Sequence, residues 1–253
     1  MKTRVASLFL GIVLTAAPAL PAQGPHRSPS HFDTHETHVP SGAFAGGSFN
    51  YARPQGEFRD FVDEGFGGAA HFLFAPGNQG LLGLRVDASV LNYGSETQRV
   101  MLSPTVGGRI TVKLNTTNNI AFFGAGPQIG LPDGRLRPYL GGFVGVAYLY
   151  TESSLEGNDD DYEFARTTNQ DDATLSYGGR GGVYIPVRGG ASPISVDLGF
   201  TYQNNGEAEY LREGDIRDHP DGTISFTPSR SDTDLLNFHV GVSIGIPRRV
   251  RGH

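Results

Sequence analysis

The sequence predicts an all-β fold: a closed antiparallel transmembrane β-barrel, with eight strands as the first count and ten as the alternative. Three observations carry this. First, Leu236, Phe238, Val240, Val242, Ile244 and Ile246 are apolar at every second position, with Asn237, His239, Gly241, Ser243 and Gly245 between them. Successive strand side chains point to opposite faces, so one face is continuously apolar and the other small or polar. The run matches a membrane-spanning strand of about 9–11 residues. Second, earlier segments repeat the pattern. Third, the N-terminus has the layout of a secretory signal: Lys2 and Arg4, an apolar stretch over residues 5–17, then Ala17-Pro18-Ala19 and Leu20-Pro21-Ala22 as small-residue cleavage sites. That stretch is too short for a spanning helix of about 20 residues.

The elements follow in order. Residues 1–22 read as signal peptide. Residues 23–41 form a polar linker carrying His26, His31, His35 and His38, whose loose spacing suits a tether better than a metal site. The barrel occupies residues 42–246, with strands at 42–53, 65–75 and 81–93, the third presenting Leu82, Leu84, Val86, Ala88 and Val90 on one face. Residues 94–118 are ambiguous. They contain Val100-Met101-Leu102 and residues 109–114 with strand character, and read as a hairpin above the membrane or an extension of the neighbouring strands. Strands at 119–131 and 136–150 follow, the latter with Leu140, Val144, Val146, Tyr148 and Tyr150 in phase. Residues 151–173 read as a long acidic loop. Leu175, Tyr177, Val183, Ile185 and Val187 mark the next strand, and Ile194, Val196, Leu198, Phe200 and Tyr202 the one after. A second long polar loop spans 204–233 before the last strand. Residues 247–253 are a basic tail.

Loop lengths set the orientation. Outer-membrane barrels have short periplasmic turns and long external loops. The turns at 76–80, 132–134 and 188–191 are short, and the segments 151–173 and 204–233 are long. The expected location is the outer membrane of a Gram-negative-type bacterium, after export and signal cleavage.

Composition fits and excludes. The chain has 36 Gly, too many for long helices, and its 16 Phe and 10 Tyr suit strands and interfacial girdles. The net charge of −6 becomes −8 once Lys2 and Arg4 are removed, which argues against nucleic acid. There is no cysteine, so neither a disulfide framework nor a cysteine lipid anchor is available.

These residues resemble the small outer-membrane β-barrel proteins of the eight-stranded, porin-like type. In that family the last strand commonly carries an assembly signal: a polar residue, Gly two later, then alternate hydrophobic residues. His239, Gly241, Ile244 and Ile246 fit that spacing. The family strand usually ends the chain on an aromatic residue, whereas here it ends in Ile246 and residues 247–253 follow. The resemblance implies outer-membrane lipids and the barrel-assembly machinery as partners, and names no external ligand.

If the apolar phase faces lipid, the inward residues are His71, Arg85, Asp87, Gln128, Arg180, Tyr184, Asp197, Asn237 and His239. Unpaired charge in a low-dielectric interior is costly, and an eight-stranded barrel holds side chains and little else. Arg85, Asp87, Arg180 and Asp197, with His71 and His239, therefore read as a network filling the lumen: barrel closure is expected to bring the Arg85–Asp87 face against Arg180 and Asp197 across the narrow interior as paired charges, with Arg180 and Asp197 coupled to each other. The expected function is structural or surface-interacting, with a small passive channel as the alternative.

Metal and enzyme readings are weaker. Asp159, Asp161 and Glu163 offer carboxylates in an acidic loop but lack the Gly and distal Glu of an EF-hand. No cofactor is expected. A lipid- or peptide-acting hydrolase would need a nucleophile and base together. His219 between Asp218 and Asp221 is the nearest approach, and the one Gly-x-Ser-x-Gly spacing, Gly241-Val242-Ser243-Ile244-Gly245, lies within the alternating last strand and not at the strand-to-helix turn of a nucleophile elbow.

Overall fold

A computed structural model describes residues 42–76, 82–101, 111–156, 163–212, 215–218 and 224–247. Signal peptide, linker and all of the tail beyond Pro247 lie outside the described residues. The eight long strands are β1 (Ala43–Pro54), β2 (Gly65–Phe74), β3 (Leu82–Met101), β4 (Thr111–Gly130), β5 (Arg137–Glu156), β6 (Glu163–Arg188), β7 (Ile194–Asn205) and β12 (Leu235–Ile246). They close in the order β1-β12-β7-β6-β5-β4-β3-β2, every pair antiparallel. Closure leaves the barrel wall without a free edge. The first and last strands seal it, from Ala43 opposite Ile246 to Pro54 opposite Leu235. The eight-strand count holds and the ten-strand alternative falls.

The alternation is realised all the way round. Phe123 (63% exposed), Leu140 (61%) and Val240 (59%) point away from the lumen, while their neighbours Phe122 (7%), Tyr139 (3%) and His239 (8%) point into it. The outward run Leu236–Ile246 rises roughly 24 Å, taking about 3.4 Å per residue and a tilt of about 45°. That is the height of a bilayer's apolar band.

One expectation needs correction and two are filled in. Residues 151–173 are not mainly a loop. β5 continues to Glu156 and β6 begins at Glu163, paired from Tyr150 opposite Asp171 up to Glu156 opposite Glu163. Residues 204–233 are the long connection between β7 and β12, and it carries short strands of its own. β8 (Glu207–Tyr210) pairs with β11 (Ser229–Asp232), and β9 (Ile216–Asp218) with β10 (Ile224–Phe226). The ambiguous segment extends its neighbours, with β3 and β4 pairing as far as Met101 opposite Thr111. One cause explains all three. Above the apolar band neither face of a strand meets lipid, so the period-2 signal disappears while ladder pairing continues. Asn115, Thr116, Thr117, Asn118 and Asn119 are polar on both faces yet wholly strand. β3 to β6 have 20, 20, 20 and 26 residues, against 10 to 12 in β1, β2, β7 and β12. The long strands therefore stand as a wall above one side of the mouth.

The opposite end is trimmed. Gly134 (φ 110°) and Gly190 (φ 96°) take positive φ in the two described short turns, a conformation L side chains resist.

Candidate functional site

Inward side chains gather in two layers. The lower layer is ionic. On β3, Arg85 and Asp87 face inward two residues apart, and Arg85 Nε donates to Asp87 Oδ1 at 2.7 Å. Arg85 Nη1 reaches Gln128 Oε1 on β4 at 3.3 Å and the Tyr184 hydroxyl on β6 at 3.1 Å. The same Nη1 lies 3.9 Å from Asp197 Oδ2 on β7. Arg180 on β6 donates through Nη1 to Asp87 Oδ2. The pairing of Arg180 with Asp197 is thus corrected: Arg180 crosses the barrel to Asp87, and Asp197 is served by other groups. Asp197 is fully buried and sits where β7 abuts β6 and β12. Tyr139 donates its hydroxyl to Asp197 Oδ1 at 2.8 Å and lies 3.1 Å from His239 Nε2. His239 Nε2 is itself 3.4 Å from that carboxylate. His71 Nε2 lies 3.4 Å from Ser243 Oγ on β12.

All six residues of the expected network therefore face into the barrel, and Arg85, Asp87, Arg180, Asp197 and His239 join one network. His71 lies opposite Asp87 in the ladder but bonds to Ser243. Small inward residues make this crowding possible. A Cβ on Gly182 would come within 2.5 Å of the Tyr139 hydroxyl, and one on Gly46 would strike the His71 ring.

A polar cavity of about 40 Å³ sits on this layer, lined by Ser48, Asn50, Ser89, Thr201, Gln203 and Asn237, with Arg85, Asp87, Arg180 and His239 among its walls. Phe122 and Phe143 complete it, edge to face at 5.4 Å. Asn237 Nδ2 donates to Gln203 Oε1 at 2.6 Å. Among the described residues Arg180 Nε and Nη2 have no hydrogen-bond partner, and the Arg180 guanidinium lies 5.1 Å from the Phe143 ring centre.

The upper layer is apolar, and sequence reasoning missed it. A short 3-10 helix, η1 (Gly56–Asp60), connects β1 to β2 and inserts Phe58, which is 0% exposed. β8 supplies Tyr210, and Leu211 follows; both are buried. Phe58 meets Tyr210 edge to face at 5.0 Å and Tyr93 at 5.7 Å. Ala52 of β1, Leu91 of β3, Ile120 of β4, Ala147 and Leu149 of β5 and Leu235 of β12 join the same cluster. β12 and β4 lie on opposite sides of the ring, so the cluster spans the mouth. Polar contacts hold it. The Tyr210 hydroxyl lies 3.0 Å from Ser231 Oγ, and Tyr93 donates to the Leu211 carbonyl at 3.4 Å. Arg212 grips Asp215 with two donors at 3.0 and 3.2 Å while lying over the Phe61 ring. Burial pushes the Tyr210 hydroxyl above the usual tyrosine range.

The signals for these layers were present in part. In the adjacent pair Phe122–Phe123, one ring must enter the lumen because neighbours alternate. Phe58, Phe61 and Val62 form an apolar knot in an otherwise charged connection.

The remaining expected sites are placed as follows. His239 and Gly241 of the terminal-strand motif face inward, while Ile244 and Ile246 face outward, 45% and 41% exposed. Asp159 and Asp161 lie outside the described residues, and only the backbone of Glu163, the first residue of β6, is described. His219 and Asp221 also lie outside them.

No family model matches the chain, and no curated protein matches it. Solved structures do. Neisserial surface protein A is 13% identical, covering 81% of this chain and 98% of that one, with a TM-score of 0.45. Ail, the attachment invasion locus protein of Yersinia pestis, is 10% identical over 81% of this chain and 98% of its own, with a TM-score of 0.44. A major outer membrane protein from Thermus thermophilus is 12% identical over 79% of this chain and 98% of its own, with a TM-score of 0.34. The chain's own closed eight-stranded pairing defines its fold.

Proposed function

We propose that this chain is exported, loses its signal peptide, and is inserted by the barrel-assembly machinery into the outer membrane of a Gram-negative-type bacterium. There it serves as a non-enzymatic, closed-lumen barrel with a structural or surface-interacting role. The observation that carries this is the filled interior inside an apolar exterior. Arg85–Asp197 and Asp87–Arg180 link strands across the ring, and the cluster around Phe58 and Tyr210 covers the mouth. On this reading such an interior closes the lumen to solutes. It also buries Tyr139, Asp197 and His239, the best acid–base grouping, away from any substrate. Activity at the surface then falls to the wall formed by the upper parts of β3 to β6. That wall is polar and laced by side-chain bonds such as Thr97 to Asn115 at 3.1 Å and Asn169 to Ser153 at 2.6 Å.

Fractionation and gel mobility test the placement. The protein should be recovered with outer membranes, be extracted only by detergent, and migrate differently before and after heating. Recovery as a soluble periplasmic monomer would end the proposal.

A further inference from the structure

We infer that the lumen is closed twice, by two seals in series that differ in chemistry and in the chain segments that build them, with the polar cavity as a chamber between them. This rests on the closed-lumen reading and adds to it. The outer seal comes from the connections: η1 brings Phe58, and the segment containing β8 brings Tyr210 and Leu211. Its packing against the wall is apolar, through Leu91, Ile120, Leu149 and Leu235, and one hydrogen bond, from Tyr93 to the Leu211 carbonyl, ties it to β3. The inner seal belongs to the wall itself. Arg85, Asp87, Arg180, Asp197 and Tyr139 all sit on barrel strands, and their bonds cross the ring. No residue is shared between the two sets.

The chamber has the properties of a wetted compartment. Its approximately 40 Å³ suits about three waters at 10–15 Å³ each. Its lining supplies hydroxyl and amide groups from Ser48, Ser89, Thr201, Gln203 and Asn237. Arg180 Nε and Nη2 and Asn237 Oδ1 offer both donors and an acceptor without protein partners. Water satisfies such a mixed set, whereas an anion or a cation satisfies only half of it.

Two seals in series make a sharp statement: removing either one exposes the chamber from one side only, and only removing both makes a path. The chain has no cysteine, so one thiol can be placed in the chamber without background. Ser89→Cys, a near-isosteric change at the chamber wall, is that probe. A small membrane-impermeant thiol reagent is applied to intact cells, then to permeabilised cells that admit it to the periplasm. The background carries Phe58→Ser with Tyr210→Ser to breach the outer seal, Asp87→Ala with Arg180→Ala to breach the inner one, or both pairs. Heat-shifted gel mobility establishes that each form is a folded barrel.

With both seals intact the thiol should resist labelling from either side. The outer breach should permit labelling from outside, and the inner breach only from the periplasm. Only the combined form should conduct in planar bilayers. Labelling from outside with the outer seal intact, or conduction by a singly breached form, overturns the two-seal inference while leaving a closed native lumen. Conduction by the unmutated protein overturns the closed-lumen reading itself. A folded, doubly breached barrel that neither labels nor conducts overturns the assignment of these residues as the seals. If the doubly breached form does not fold, the side-specific labelling of the two singly breached forms decides the matter.

Discussion

Asp87 lies between two buried guanidiniums, so its removal is the severest small change available to the inner layer. Its side chain is 14% exposed, with Arg85 at 7% and Arg180 at 3%. Asp87→Asn keeps the shape and deletes the charge. Arg85 retains Gln128 and Tyr184, and Asp197 at 3.9 Å. Arg180 retains no other hydrogen-bonded group, because its Nε and Nη2 are already unpartnered. The stranded charge should therefore be that of Arg180. Breaking a buried pair on one side costs about 3–5 kcal/mol. Arg180→Met alone strands less, since Asp87 still accepts from Arg85 Nε at 2.7 Å. Adding Arg180→Met to Asp87→Asn replaces the stranded cation with an apolar chain of similar length and should recover roughly 0.5–3 kcal/mol, the usual coupling between groups in contact. The chain has no tryptophan, so indole fluorescence is absent and the assay is a urea titration in lipid vesicles, with folded fraction read from gel mobility. The same cycle between Arg180→Met and Asp197→Asn should give a smaller coupling, because those two groups communicate only through Arg85 and Asp87. Additive losses for Asp87 and Arg180 would refute the pairing, and a larger coupling to Asp197 would restore the pairing that sequence alone suggested.

Three further outcomes follow from the same geometry. Gly182→Ala should lower the urea midpoint and slow folding, because the new Cβ meets the Tyr139 hydroxyl at 2.5 Å and the Leu198 carbonyl at 2.6 Å; an unchanged midpoint would mean the lumen is looser than described. Val240→Arg, at a residue 59% exposed on the outer face, should cost about 2–4 kcal/mol and respond to acyl-chain length, whereas Ser243→Arg, 3% exposed beside His71, should suffer from crowding and ignore lipid thickness; equal sensitivity to lipid would contradict the assigned faces. The raised proton affinity of the Tyr210 hydroxyl, caused chiefly by burial, favours the folded protonated form, so its contribution is complete below the free tyrosine value of about 10 and fades as pH climbs above it. Stability measured from about pH 9 to about pH 11 should fall less steeply in Tyr210→Phe than in the parent, and parallel curves would remove Tyr210 from that role.

What the sequence revealed follows the chemistry of the surroundings. Wherever a strand touches lipid on one side, the solvent boundary writes itself into alternate residues, and β12, the lower part of β3 and the lower part of β5 were legible for that reason. Where β3 to β6 leave the membrane band, both faces are polar, and residues such as Thr151, Glu152, Ser153 and Ser154 read as loop although they pair in a ladder. The inward phase exposed Arg85, Asp87, Arg180, Asp197, His71 and His239 as lumen residues, because parity alone fixes the face. It did not give their partners. Pairing across a barrel depends on ring order and on the height of each residue, and two charges on neighbouring strands, Arg180 and Asp197, face different residues of the same distant strand, Asp87 and Arg85 of β3. The outer cap was least legible. Phe58 and Tyr210 lie about 150 residues apart in irregular connections, a separation over which local patterning carries no information.

Planar-bilayer recording of the unmutated, refolded protein tests the central claim most directly. Salt bridges below and an apolar cap above should hold the current at the bilayer baseline across both polarities, with only rare, brief openings. Stable unitary steps from protein whose heat-shifted mobility shows it to be folded would contradict a closed lumen and make the barrel a channel.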